Sequence, residues 1–419
     1  MTHRVLPLTA LCAAALLAST PAHAQRRADP ARPESMLQVT CNGTMPDATL
    51  HARSAQGALN RALVAQGDGK RFYYEQALGH VRDGLFEDSA NPRYHLAAGE
   101  AHLGLGQLDE GGKALSRAVE LCPELADIVE PLRQNAWATL FQQGMDAYTA
   151  GDTAGALAKW QQAGAFYDRR PDPFYNTGVV LSQRGDVQGS VASFRQALAA
   201  LDKLPADTSA TEMQSRLETR AVALSGMLNG GARLFSQDQL APAEAIFREV
   251  VALDSTNRDA RYNHALSLYK LERWTELEPV AAGLLRVDPL NENAHVLLYN
   301  AFKFQSDAAR TAGDTARSQQ IARRAITVAE AQQNVPVFVD GVNLTNAEGS
   351  TALTGQVAGN AAAAGTPVRI EFTLYGVGGG RFTHTVTVQA PAKGQTAQFE
   401  AAVPATEAVT SFSYRLLPG

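Results

Sequence analysis

Gly151–Ala163 reads GDTAGALAKWQQA, and Gly185–Ala197 reads GDVQGSVASFRQA. The two stretches start 34 residues apart and agree at six of thirteen positions. In each, a Gly-Asp turn opens a run whose apolar and small residues recur three and four positions apart, the period of an amphipathic helix. Upstream, Gly144 and Gly178 stand at the same 34-residue interval, as do Gly231 and Ala265, and GDTA returns at Gly313–Ala316. A period of this length is that of a unit of two helices, which buries its apolar face only by stacking on further copies.

Residue size follows the same register. A small residue on the first helix, at Gly99, Gly144, Gly178, Gly231 and Ala265, lets the second helix cross closely. A bulky residue on the second helix, at Leu115, Trp160, Phe194 and Phe247, fills the space between them. Ala118, Ala163 and Ala197 let the next unit approach, and Pro123 and Pro289 close their units because proline cannot continue a helix. This set of residues resembles the tetratricopeptide repeat family from Asp47 to Asn334. The resemblance implies an all-α solenoid of about six helical hairpins. Two intervals depart from the period: 45 residues between Gly99 and Gly144, and 53 between Gly178 and Gly231. Extra helix at Glu124–Arg133 and Thr208–Ala221 is expected to lengthen two first helices, with an exposed loop at Leu204–Ser209. The stretch Ala48–Asn91 is expected to be a degenerate cap with a polar outer face, as solenoid ends require.

The pattern changes on either side. Residues 1–24 read as an export leader, with His3-Arg4, an apolar run from Val5 to Ala18, and the small-x-small site Ala22-His23-Ala24. Cleavage after Ala24 leaves Gln25 at the start of a flexible tail over 25–46 and places the mature protein in the periplasm or outside the cell. Cys12 follows Leu11, where a lipoprotein signal needs a smaller residue. From Val335 onward, Val, Thr and Phe alternate in about six or seven short segments with turns between them, the signature of a small antiparallel β-sandwich over 335–419. Val368, Ile370, Phe372 and Leu374 share one face of a strand, as do Phe412, Tyr414 and Leu416. Phe372-Thr373-Leu374-Tyr375 resembles the FxLYD family of extracytoplasmic β-domains, with Gly376 in place of that family's Asp.

Of the 419 residues, 45% are hydrophobic, 19% charged and 7% aromatic, and the net charge is −5 with both signs interspersed. No Lys/Arg cluster of the kind that holds nucleic acid follows the leader, and no run reaches transmembrane length. Two cysteines remain after the leader, Cys41 and Cys122. They could form one disulfide in an oxidising compartment, or stay as two unpaired small residues.

Motifs that would carry catalysis are not found: no Gly-x-Ser-x-Gly elbow, no His-Glu-x-x-His and no cysteine with a histidine partner. The glycines of 376–380 lie between strands and read as a hairpin turn, not a phosphate loop. His95 and His102 stand at helix-packing positions, and Arg184-Gly185-Asp186 reads as turn chemistry. No enzyme activity, cofactor or metal is expected. In the resembled family the first helices line a groove that receives a protein or peptide. Its register picks out Phe141, Met145, Tyr148, Tyr175, Asn176, Asn229, Phe235, Tyr262, Asn263 and Tyr269. The three asparagines recur at equivalent places, and an amide can both donate to and accept from a ligand backbone. For the tyrosines and asparagines the alternative is packing between neighbouring units. The resemblance implies a non-catalytic binding scaffold. A permanent subunit of an envelope or secretion assembly, and a carbohydrate- or surface-binding protein acting through the sandwich, are the alternatives.

Overall fold

The computed structural model describes residues 40–42, 46–205 and 209–418. The export leader, most of the 25–46 tail and the middle of the Leu204–Ser209 loop lie outside them. The described chain forms two compact units, each taken by itself below. The first runs to Val180 and includes Gln196–Leu204, and the second holds Leu181–Arg195 and the chain from Pro205 onward.

Among the described residues, fourteen α-helices precede six strands. The helices follow one another as seven successive pairs: α1 (Leu50–Val64) and α2 (Asp68–Glu87), α3 (Pro92–Gly104) and α4 (Leu108–Leu121), α5 (Ala126–Thr149) and α6 (Thr153–Phe166), α7 (Asp172–Arg184) and α8 (Val187–Leu201), α9 (Ala210–Ser236) and α10 (Leu240–Leu253), α11 (Arg258–Lys270) and α12 (Trp274–Val287), and α13 (Glu292–Thr311) and α14 (Thr315–Asn334). The count exceeds six because the stretch expected to be a degenerate cap is a complete pair. The long first helices α5 and α9 absorb the two irregular intervals.

The turn inside a pair explains the recurring Gly-Asp. Seven residues after the small residue, the chain takes a left-handed conformation at Gly106, Gly151 and Gly185, with φ of 76°, 84° and 84°, which glycine adopts without a Cβ clash. The aspartate that follows caps the second helix: Asp152 accepts from the Gly155 amide at 2.8 Å and Asp186 from Gly189 at 2.9 Å. Asp238 and Glu272 hold the same turn position without glycine, at φ of 62° and 56°.

Size matching within pairs is close. A Cβ at Gly99 would stand 2.5 Å from Leu115 Cδ2, one at Gly144 2.5 Å from Trp160 Cδ1, and one at Gly231 2.7 Å from Phe247 Cε1. Between the first two pairs the matching is reciprocal: Tyr94 fills the space beside Gly84, and Tyr74 the space beside Gly104. In the same unit Cys41 and Cys122 are joined by a disulfide.

The strands are β1 (Val337–Ala347), β2 (Ser350–Gly359), β3 (Pro367–Gly376), β4 (Arg381–Gln389), β5 (Thr396–Pro404) and β6 (Val409–Leu416). They form two antiparallel three-stranded sheets, ordered β1-β2-β5 and β4-β3-β6. Val368, Ile370, Phe372 and Leu374 are all buried, as strand alternation predicts. Phe372 lies 5.7 Å, ring centre to ring centre, from Phe399 of the opposite sheet. Phe412 and Tyr414 join that core, but Leu416 at the strand end is exposed.

Secondary structure changes between Asn334 and Val337, yet the packing is continuous across the change. Leu290, from the turn before α13, and Val335 belong to the sandwich core. The Leu290 carbonyl accepts from the Val339 amide at 2.9 Å, and Ser411 Oγ donates to the Thr256 carbonyl at 2.5 Å. At the centre is a buried ion pair. Arg258 Nε donates to Asp288 Oδ2 at 2.6 Å, Asn291 Nδ2 donates to the same oxygen at 2.7 Å, and the Tyr414 hydroxyl donates to Oδ1. Burial opposes the Arg258 charge, but Asp288 and then Asp259 outweigh it and raise the guanidinium's pKa. Burial also pushes the Tyr414 phenol well above its ordinary range, with Asp288 adding to it.

Candidate functional site

The candidate groove residues sort by their distance from the small residue of each first helix. Phe141, Tyr175 and Tyr262 each stand three positions before it, and all three are interior, at 3%, 3% and 4% exposure. Phe141 stacks on Trp137 with ring centres 5.3 Å apart, and Tyr262 belongs to the buried cluster of α11–α14. Burial is the main cause that raises the Tyr262 phenol's pKa. Leu228 holds this register in α9 and is buried as well. The register is therefore a packing position.

Two positions before the small residue stand the asparagines. Asn176 and Asn263 are 0% and 2% exposed, and the Oδ1 of each lacks a hydrogen-bond partner. Asn176 Nδ2 donates to Met145 Sδ of the preceding first helix at 3.4 Å. Asn229, at the equivalent place in α9, is half-buried. At 0% and 2% exposure Asn176 and Asn263 are closed to solvent, and only Asn229 of the three is partly open.

Four positions after the small residue, the side chains stay partly open. Tyr148, Phe235 and Tyr269 are each half-buried. In the first unit Tyr148 lies against Trp160, with ring centres 5.9 Å apart. In the second unit Phe235 and Tyr269 border one buried cluster together with Trp274 and Tyr299. Tyr269 meets Trp274 edge-on at 5.6 Å, Trp274 stacks on Phe304 at 4.3 Å, and Lys303 Nζ sits 4.5 Å above the Phe304 ring. Trp274 and Phe304 escaped the sequence reading because neither lies at a repeat-defining position. The signal was Trp274 itself, one of three tryptophans, placed at the start of a second helix.

Buried charge lies beside this aromatic set. Glu244, almost fully buried, accepts from Arg273 Nη1 at 3.0 Å and lies 3.1 Å from His264 Nε2. Burial lowers the His264 pKa, against the raising effect of Glu244.

The remaining motifs resolve into local structure. Glu407 fills the glycine-rich turn, its carboxylate accepting from the amides of Gly378 and Gly380. A side chain at Gly376, Gly378 or Gly380 would collide with Glu407, so these glycines leave room for an internal carboxylate. His95 Nε2 pairs with the Ser89 carbonyl at 2.9 Å and His102 Nδ1 with Gln107 Oε1 at 2.6 Å. In Arg184-Gly185-Asp186 the aspartate is the helix cap described above. The sulfurs of Cys41 and Cys122 come near Glu124, but a disulfide leaves no thiolate to bind a metal. No helix among the described residues is long and apolar enough to cross a membrane.

Paired helices with small-to-bulky contacts in the 34-residue register, followed by a six-stranded sandwich, define a helical-repeat fold of the tetratricopeptide type with a β-domain. No family model matches the chain, and no curated protein does. Among solved structures, the chain is similar to YrrB, described as a tetratricopeptide protein with an unusual peptide-binding site, at 14% identity. That match covers 52% of this chain and 94% of YrrB, with a TM-score of 0.25. It is also similar to MamA from Desulfovibrio magneticus at 15% identity, over 47% of this chain and 96% of that one, with a TM-score of 0.24. The C-terminal part of a repeat protein from Cytophaga hutchinsonii matches at 11% identity over 67% of this chain and 95% of its own length, with a TM-score of 0.23. At these scores the likenesses add nothing to the helix pairing itself, which defines the fold.

Proposed function

We propose that this chain is an exported, non-catalytic scaffold that holds a protein or peptide partner along the first helices of its repeats. The observation that carries the reading is the aromatic set of the second unit, where Phe235, Tyr269 and Trp274 stay half-buried around one core and the half-buried Phe304 stacks on Trp274. Aromatic side chains that are rigid and partly exposed are the usual anchors of protein interfaces. The partner chemistry that fits is apolar or aromatic side chains on a backbone whose amides the half-buried Asn229 would engage. Tyr262 supports that surface from inside, in the buried cluster that Phe235, Tyr269 and Trp274 border. The likeness of the sandwich to FxLYD domains belongs to the same reading, as does the cleavable leader. The disulfide favours export, because such bonds persist in oxidising compartments.

A photo-crosslinking residue in place of Tyr269, with one in place of the exposed Ile326 on α14 as reference, tests the binding surface in the native host. A partner captured from position 269 and not from 326 is the expected result. Equal capture from both positions, or none from 269, would refute it. Fractionation and N-terminal sequencing test export, with Gln25 expected as the first residue.

A further inference from the structure

We propose that the Cys41–Cys122 bond is a redox-released clasp on the first helix pair, closed when oxidised and open once a dithiol has reduced it. The bond closes a ring spanning 81 positions that contains α1 to α4 entire. Cys122 lies at the end of α4, and Asn42 beside Cys41 donates its amide to Glu124 Oε1 at 2.9 Å. Residues 46–49 then run across the start of α3. Arg93 Nε donates to the Pro46 carbonyl at 3.0 Å, Asn91 Nδ2 to the Asp47 carbonyl at 3.1 Å, and Thr49 pairs with the Tyr94 hydroxyl. The segment before α1 thus ties the two pairs together: Thr49 Oγ1 also accepts from the Ala52 amide of α1 at 3.1 Å, and the Ala48 carbonyl from Arg53 Nε at 2.8 Å.

The first pair needs such a strap. It is the outermost pair among the described residues, and α1 packs chiefly on α2 and also on α3. Terminal repeats of a solenoid are held by one neighbour and rely on a polar outer face. Here the outer face carries Leu50, Val64, Phe72 and Phe86, at 77%, 85%, 59% and 93% exposure. These stand among exposed polar residues, Arg53, Arg61, Arg71 and Arg82 included, so the polar cap is interrupted by apolar side chains, and the covalent ring adds to what holds the pair. Opening would withdraw Tyr74 and Tyr94 from the spaces beside Gly104 and Gly84 and bare the Ala97 and Ala101 side of α3.

Reduction and opening are coupled because Cys122 is fully buried and Cys41 nearly so. One thiolate of the dithiol attacks the Cys41 sulfur, and the Cys122 thiolate leaves and takes a proton. The second thiol then displaces Cys41, so that two electrons and two protons pass to the protein and the dithiol becomes a cyclic disulfide.

Hydrogen exchange on the full chain, oxidised and after dithiothreitol with the freed thiols counted by alkylation, reads the clasp. Amides of α1 and α2 are expected to exchange about 100-fold faster after reduction, while those of α5 and α6 keep their rates. The Cys41→Ser/Cys122→Ser variant should show the open pattern without reductant, and reoxidation of the native chain should restore protection. Three results would each overturn the proposal. These are unchanged α1–α2 exchange in fully reduced protein, an equal rise through α6, and a bond that resists reduction until the whole first unit unfolds.

Discussion

Replacing Asp288 with asparagine removes one charge from the pair that joins the sandwich to the last repeats, and leaves shape unchanged. Asp288 is fully buried and accepts from Arg258, Asn291 and Tyr414. An asparagine oxygen turned toward Arg258 and Asn291 keeps two of those bonds, and its amide can donate to the Tyr414 oxygen. What is lost is the countercharge to a guanidinium that is itself only 5% exposed. Breaking a buried pair from one side costs about 3–5 kcal/mol. Arg258 keeps Asp259 at 2.9 Å, which places the expected loss near the lower end, at about 3 kcal/mol. For a unit of this size that lowers the melting temperature by about 6–12 °C. Calorimetry measures the shift, and hydrogen exchange reports whether β3, β6, α11 and α12 lose protection together, as one cooperative unit would. Adding Arg258→Met removes the stranded charge and should recover more than half of the loss, since an apolar substitute for a buried pair is often neutral. A melting point within 1 °C of the native protein, or strands that open while the helices stay protected, would refute the reasoning.

Two further outcomes follow from the repeats. Gly144→Ala adds a methyl against the fully buried Trp160, whereas Gly57→Ala in α1 meets nothing within 4 Å. Urea titration should show the first destabilised by about 1–2 kcal/mol after its helix-propensity gain and the second stabilised by about 0.5–1 kcal/mol, and equal shifts would contradict the packing account. Because burial holds the His264 pKa below its ordinary value, the unfolded chain takes up the proton first. The second unit should then lose stability as pH falls below about 6.5, with no such penalty above it. His264→Gln, still beside Glu244, Arg248 and Arg273, should flatten that slope in melts run from pH 7.5 to 5.

Much of the helical half was legible because a repeat constrains residue size at fixed intervals. Gly144 with Trp160 and Gly231 with Phe247 each announce a contact sixteen positions apart. Turns were legible where glycine marks them. Asp238 and Glu272 accept the left-handed turn without glycine, so sequence alone does not signal them. The groove was harder for a geometric reason. Positions three before and four after the small residue are seven apart and share one helix face, so the sequence treats Phe141 and Tyr148 as equivalent. Only the packing of neighbouring helices buries the first and leaves the second partly open.

The join between helices and strands shows what periodicity cannot carry. Arg258, Asp288 and Tyr414 are spread over 157 residues, and the two charged members lie at helix ends, where charge normally meets water. Their pairing changes how the strand half must be studied. A fragment cut at Val335 would leave Ser411 and Tyr414 without the Thr256 carbonyl and the Asp288 carboxylate, and would take Leu290 out of the sandwich core. Failure of that fragment to bind a glycan or a wall component would then report misfolding, not lack of affinity. A fragment beginning at Ser209 keeps all three supports, since α9 to α14 travel with the strands. Only with those helices present does a binding assay distinguish a sandwich that recognises a surface from one that braces the repeats.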